Sequence, residues 1–428
     1  MVEQLAMHVH GEAWTVKELF VLPNEYIYWS IQIVMYPFMT GLVAGAFVLS
    51  SLYHVFGVTK LKEIARFSLV FSFALLPVAM MPLMLHLQQP LRGIHVMMTP
   101  HFTSAIAAFG IVFSTYASIV AAELWFVYRQ HFVLSYQALE ANATRSGMQN
   151  LWRLLYKVLT LGAMDLSHEA LEKDHKAVKL LAGIGIPVAC FLHGYAGFIF
   201  GSVKAIALWM TPLMPVIFIC SAVVSGIALC ILCYVIVQEF RKFMAKRKLS
   251  RWAKDPNAPS YEALKGAEEH EVKMVSVYLL YFMIAALTLE VLDLIFRGYT
   301  QVKSWDILRT VIMERDFTAI FILQYTLGNI IPFLMMLLPG RNLRRTTVAC
   351  VLVLFGVFMM RWNVVIGGQA FSLSFAGFMH YNLPIIPHDA ETFKEGLMGA
   401  LMVITTPFVI FYFLNMIVPA FMEDKDAH

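Results

Sequence analysis

Charge is what this chain of 428 residues has least of: 14% of it is Asp, Glu, Lys or Arg, while 59% is hydrophobic. A soluble domain averages about 25% charged residues, so a water-soluble enzyme is excluded and a polytopic membrane protein is indicated. Cysteine is scarce as well. All five, Cys190, Cys220, Cys230, Cys233 and Cys350, fall within apolar stretches, which leaves no external disulfide. Cys230 and Cys233 form a CxxC, but on an apolar helix without a second pair they read as packing rather than as a metal site. A net charge of +4, spread over short links, argues against nucleic acid as a partner. The first 25 residues hold no apolar run of signal-peptide length, so no cleaved leader is expected. Residues 14–24 are too short to span and suit an interfacial arm.

What the chain does have is nine apolar stretches, at about 26–55, 67–87, 103–128, 180–200, 212–237, 274–295, 317–338, 346–360 and 397–421. About 20 residues of helix cross a hydrocarbon core, and lipid leaves no other economical way to satisfy the backbone. The eighth stretch reaches full length only by running on past Arg361. The predicted fold class is therefore an all-α polytopic membrane protein of nine or ten transmembrane helices in two bundles. Alternate links carry 23 of the 32 Lys and Arg residues. Basic links stay in the cytoplasm, which predicts an external N-terminus and a cytoplasmic C-terminus.

The organisation follows. An external arm (1–25) precedes a first bundle (26–240), which contains a cytoplasmic amphipathic link at 129–179. There LWRLLYKVLTLGAM suits a helix lying on the inner leaflet. A basic cytoplasmic loop (241–273) leads to the C-terminal helices (274–421), interrupted by an external loop at 361–396 and followed by a tail (422–428). The cluster HYNLPIIPHD in that loop suggests packing against something rather than free solvation.

An ionisable side chain in hydrocarbon costs on the order of 3 kcal/mol at mid-helix, so it marks function by default. Most such groups here lie at one depth, near the external surface: Trp29, Gln32, His86, Gln88, Arg92, His193, Tyr195, Glu290, Asp293 and Arg361. His193 and Tyr195 sit in FLHGYAG, whose glycines allow close helix approach. A crevice with hydrogen-bonding tips and apolar walls suits a quinone, whose two oxygens need donors and protons. Glu123, near the opposite surface, suits a proton route from the cytoplasm, as does Glu290.

The segments YPFMTGLVAGAFVLSS (36–51), HLQQPLRG (86–93), HGYAG (193–197), WMTPLMPVIFICSAVVSG (209–226) and RWNVVIGGQ (361–369) follow one another in an order that resembles the NrfD/PsrC family. HLQQPLRG stands where that family has DLGRP, with His86 in place of the acid. Within the family, the length and the RWN segment look most like the Qrc type, then the HybB-like type. The resemblance implies menaquinone as the bound cofactor, Tyr195 as a residue lining its pocket and His86 at the position of the family's acid; with the layer of polar groups read above, the expected site has His193, Tyr195 and His86 as catalytic groups and Trp29, Gln32, Gln88, Arg92, Asp293 and Arg361 around the quinone. It further implies no haem or metal in this chain. The implied partners are a periplasmic ferredoxin-like iron-sulfur subunit and molybdopterin-family or multihaem cytochrome c subunits, at a bacterial inner membrane. Two other readings compete. A haem b cytochrome would use His86 and His193 as axial ligands, and a secondary transporter would place its charges at the bilayer midplane.

Overall fold

A helix that is apolar on every side belongs either in a protein core or in lipid, and burial separates the two cases here. The computed structural model describes residues 27, 29–101, 103–142, 146–247, 259–300, 305–340, 342–371 and 378–421. The expected arm at 1–25 and tail at 422–428 lie outside these, as do 248–258 of the basic loop and 372–377 of the external loop. Among the described residues, nine helices are long and apolar enough to cross a membrane, one for each apolar stretch. The first is 94% buried along its most apolar window and the last only 22%. The first helix is therefore the hub of the protein, and the last presents a surface suited to lipid.

In chain order, α1 (Ile31–His54) is followed by a second span built from α2 (Lys62–Leu75), a 3-10 turn at Leu76–Val78 and α3 (Met81–His86). Pro77 and Pro82 break its hydrogen-bond ladder, which is why one span is made of three pieces. A 3-10 turn at Pro90–Ile94 and the short α4 (His95–Met98) lead to α5 (Ala105–Ala141), α6 (Gly147–Leu159), α7 (His168–Gly201) and α8 (Met214–Lys246). The C-terminal half comprises α9 (Tyr261–Thr300), α10 (Trp305–Thr310), π-helical turns at Val311–Arg315 and Thr318–Ile330, and α11 (Ile331–Leu337). After these come α12 (Leu343–Trp362), a π turn at Asn363–Gly367, α13 (Ala390–Glu395) and α14 (Leu397–Ile417). The end where α1 begins is termed upper below, and the end where it finishes lower.

Backbone contact sets the two tightest crossings. A Cβ on Gly45 of α1 or Gly226 of α8 would collide with the backbone opposite, and the same holds for Gly328 and Gly356. Only hydrogen fits, the rule for close membrane packing. The eighth span does run on past Arg361, as a π turn, and ends at Gly367. At the lower end α6 turns back along the overhang of α5: Arg153 bonds Glu140 at 2.7 Å, Tyr156 packs on His131, and Trp125 donates to the Leu159 carbonyl at 2.8 Å. Residue numbers rise along one helix as they fall along the other, so the pair is an antiparallel hairpin. Its outer face exposes Met148, Leu151, Leu154 and Val158.

Candidate functional site

The residues expected to form one layer divide among separate environments. The first is an open crevice at the upper end, of about 1790 Å³, lined by Trp29, His86, Gln88 and Arg92 together with Tyr381 and Glu395. Ser30 caps α1 by accepting from the Gln32 amide, which fixes its hydroxyl at the crevice floor. His86 ends α3 there. Its Nδ1 lies 3.2 Å from Ser30 Oγ and 2.9 Å from Glu395 Oε2. Facing a carboxylate that can only accept, Nδ1 carries the hydrogen. Burial raises the Glu395 carboxyl, but hydrogen bonds from His86 and Ser30 outweigh it and hold the group below its ordinary value. Tyr381 accepts from the Ile31 amide at 2.8 Å, and burial pushes its phenol up to about 12. Ser30, Tyr381 and Glu395 are not singled out by the sequence. The clue to the last two is the HYNLPIIPHD segment and the helix that follows it.

Behind the crevice stands a wall of rings. Trp29 stacks on Trp209 at 5.3 Å, and Trp209 donates to the Val364 carbonyl at 2.5 Å. Phe200 meets Trp209 edge-on at 4.9 Å and leans on Phe218 at 5.9 Å. On the far side of Phe218 lies the second environment, a sealed cluster. There the Arg361 guanidinium sits 3.7 Å over the Phe218 ring and is 1% exposed. It bonds Ser221 Oγ at 2.7 Å and His193 Nε2 at 3.1 Å. A guanidinium has no acceptor, so Nε2 must accept and Nδ1 must carry the hydrogen. That hydrogen points to Thr40 Oγ1 at 3.4 Å, whose own hydroxyl donates to the Tyr36 carbonyl. His193 is thus fixed in one tautomer with both ring nitrogens engaged.

A third environment, a crevice of about 650 Å³, collects Glu290, Asp293, Arg297, Gln324 and Asn363 between the later helices. Gln324 donates to Glu290 at 3.0 Å and receives from Asn363 at 2.8 Å. Asp293 accepts from Thr211 and from Arg297. Each of the three described π-helical turns contributes lining residues: Ile312 from the first, Ile320, Gln324 and Tyr325 from the second, Asn363 and Val364 from the third. π turns recur at functional sites. They displace side chains that an α-helical register would have aimed elsewhere.

Three expected residues lie apart. Tyr195 is on the opposite side of α7 from His193, stacked with Phe109 and beside Phe191 and Phe198. It does not share the upper crevice. Gln32 is fully buried beneath α13, donating to the Lys394 carbonyl at 2.6 Å. Glu123 is fully buried near the lower end, and its Oε1 lies 3.2 Å from Nδ1 of His54, the last residue of α1. His54 also contacts Ser50 at 3.3 Å. Its pairing with Glu123 has no signal in the sequence, because 69 positions separate the two in the chain.

Chemically, the upper crevice offers an aromatic face, several donors and a carboxylate-backed imidazole, open to the surroundings. The sealed cluster offers a buried cation with no carboxylate in contact among the described residues. Two known proteins are informative relatives. Over 216 residues the chain is 32% identical to a selenate reductase subunit of Mesobacillus selenatarsenatis, covering 49% of each protein. The match thus spans about half of that relative's length. Over 363 residues it is 24% identical to a putative dimethyl sulfoxide reductase membrane subunit of Halobacterium salinarum, covering 84% of this chain and 71% of the relative. The family described as "Polysulphide reductase, NrfD" matches residues 22–252 and 260–373. With nine apolar spanning helices among its described residues and that match across most of its length, the chain belongs to the NrfD/PsrC family.

Proposed function

We propose that this chain is the quinone-reactive membrane subunit of a multi-subunit oxidoreductase, and that the upper crevice receives the head of a menaquinone. The observation that carries the reading is the convergence of Trp29, His86, Gln88 and Arg92 on one crevice backed by Glu395 and Ser30. Bound there, menaquinone would supply two carbonyl oxygens that take two electrons and two protons. Arg92 and Gln88 can donate to an oxygen, and Trp29 gives the ring a flat apolar neighbour. With Nδ1 held by Glu395, Nε2 is the nitrogen of His86 left to exchange a proton with the head. Glu395 stabilises the imidazolium that such an exchange requires.

Protons would reach this point from the lower end along α1. The polar groups on or against that helix run from His54 with Glu123, through Ser72 and Tyr116, which both reach the Val43 carbonyl, to the Thr40 hydroxyl and finally Ser30 with His86. From residue 30 to residue 54 an α-helix covers about 36 Å, the thickness of a bilayer core with part of its interfaces. Glu290, beyond Arg361, would be a second proton-holding carboxylate. The upper end would face the periplasm of a bacterial inner membrane, with the basic links inside. A ferredoxin-like iron-sulfur subunit would bring electrons from a molybdopterin-family or multihaem partner. The names of the two relatives support membership of a multi-subunit reductase complex and no more; the preference for quinone reduction rests on the likeness to the Qrc type.

The test is quinone binding and turnover by the purified complex. His86→Ala should weaken both about tenfold, the order expected for a lost charge-assisted hydrogen bond, while the complex stays assembled. Wild-type affinity and rate in that variant would remove the crevice from the reaction.

A further inference from the structure

The crevice has one wall unlike the rest. The segment Pro90–Met98, a 3-10 turn running into α4, contains no buried residue. One side of it, Arg92, Gly93 and Val96, lines the crevice. The other side exposes Leu91 by 84%, Ile94 by 50% and Met98 by 75%. The segment does not stand off in solvent. A Cβ on Gly110 of α5 would come within 2.9 Å of the Val96 carbonyl and 3.2 Å of Met97 Cγ, so the strap lies flat on a membrane-spanning helix, inside its first turns. The next residue of that helix, Ile111, is itself 45% exposed. Leu91, Ile94 and Met98 on the strap, and Ile111 on the helix it lies against, are thus exposed apolar side chains beside the crevice. Gly93 seats the strap from the other direction, since any Cβ there would press on Met84 and Leu87.

Large apolar side chains left in water cost about 25 cal/mol per Å², and a strap that buries none of its own has nothing in the protein to offset this. Hydrocarbon does offset it. We propose that Pro90–Met98 is a threshold in the outer leaflet over which the isoprenoid tail of a lipid quinone passes, its apolar edge touching the chains and its Arg92 edge touching the head. This rests on the reading that the crevice takes a quinone head, and it adds where the tail goes and why a long-tailed substrate is favoured. The strap has few anchors, and segments with few buried contacts open most readily, which suits entry from the side.

The experiment compares a long-tailed menaquinone with a tailless naphthoquinone as substrate of the complete complex in lipid vesicles, for wild type and for Ile94→Asp with Met98→Asp. The expected result is a KM raised at least fivefold for the long-tailed quinone, with kcat unchanged and the tailless substrate within twofold of wild type. Equal losses with both substrates, or no change with either, overturn the proposal. A wild-type complex that turns over neither quinone overturns the crevice reading and the threshold with it. A fluorophore at Leu91→Cys or Ile94→Cys should be quenched by acyl-brominated lipid at least twofold more than one at Gln88→Cys. Equal quenching at these positions overturns the proposal without any appeal to activity.

Discussion

His86 and His193 are the same residue type at the upper end of the same bundle, and their neighbours give them opposite chemistry. His86 stands in an open crevice against the Glu395 carboxylate, which welcomes a positive ring. His193 stands in a sealed cluster against the Arg361 guanidinium, which can only donate and so requires a neutral, accepting ring. The comparison teaches that a histidine inside a membrane protein is read from what faces its two nitrogens, not from its depth. On the proposed function, the first ring exchanges protons, while the second is held in one tautomer by Arg361 and Thr40.

The sharpest way to break the comparison is Arg361→Met. It strips His193 Nε2 and Ser221 of a buried partner and should destabilise the protein by roughly 3 kcal/mol or more, seen as a large fall in the unfolding midpoint in detergent. A fall no larger than that of an exposed crevice variant would mean the sealed cluster is not structural. A middle-sized effect is expected from Trp209→Phe, which removes the bond to the Val364 carbonyl and thins the wall between the two sites. A loss of about 1 kcal/mol follows from one missing hydrogen bond, and unchanged stability would show that the wall is held by its other rings. The smallest effect concerns pH. Because the folded Glu395 carboxyl lies below its ordinary value of about 4.3, its contribution to stability is full above that pH and is lost as pH falls through the lowered folded value. The wild-type unfolding midpoint should therefore drop more on acidification below about pH 4 than that of Glu395→Gln; parallel curves would show that the His86 contact adds nothing.

Much of this architecture was legible because lipid imposes a length on every span, and the nine apolar runs answer to the nine helices long and apolar enough to span among the described residues. The run ending at Met360 looks short because Arg361 reads as the edge of the hydrocarbon. The structure continues the helix through it, since Phe218, Ser221 and His193 supply a ring face and acceptors that no local pattern reveals. Tyr195 illustrates a different gap. Residues two apart on a helix point about 200° from one another, so it and His193 were never able to face one crevice, and helical geometry alone would have separated them. Glu395 and Tyr381 were out of reach because they come from the far side of the chain, placed by a loop and a six-residue helix. The π turns leave no trace in apolar periodicity, which is why the meeting of Gln324 and Asn363 with Glu290 and Asp293 in a crevice of their own was not legible.

The helix Tyr261–Thr300 has 40 residues, about 60 Å at the usual rise, or twice the hydrocarbon thickness. Near its foot, Glu268 is clasped by Lys242, and some 33 Å higher the same unbroken rod bears Glu290. One unbroken rod therefore joins the Lys242 clasp at the lower end to the crevice that holds Glu290, with no hinge between them.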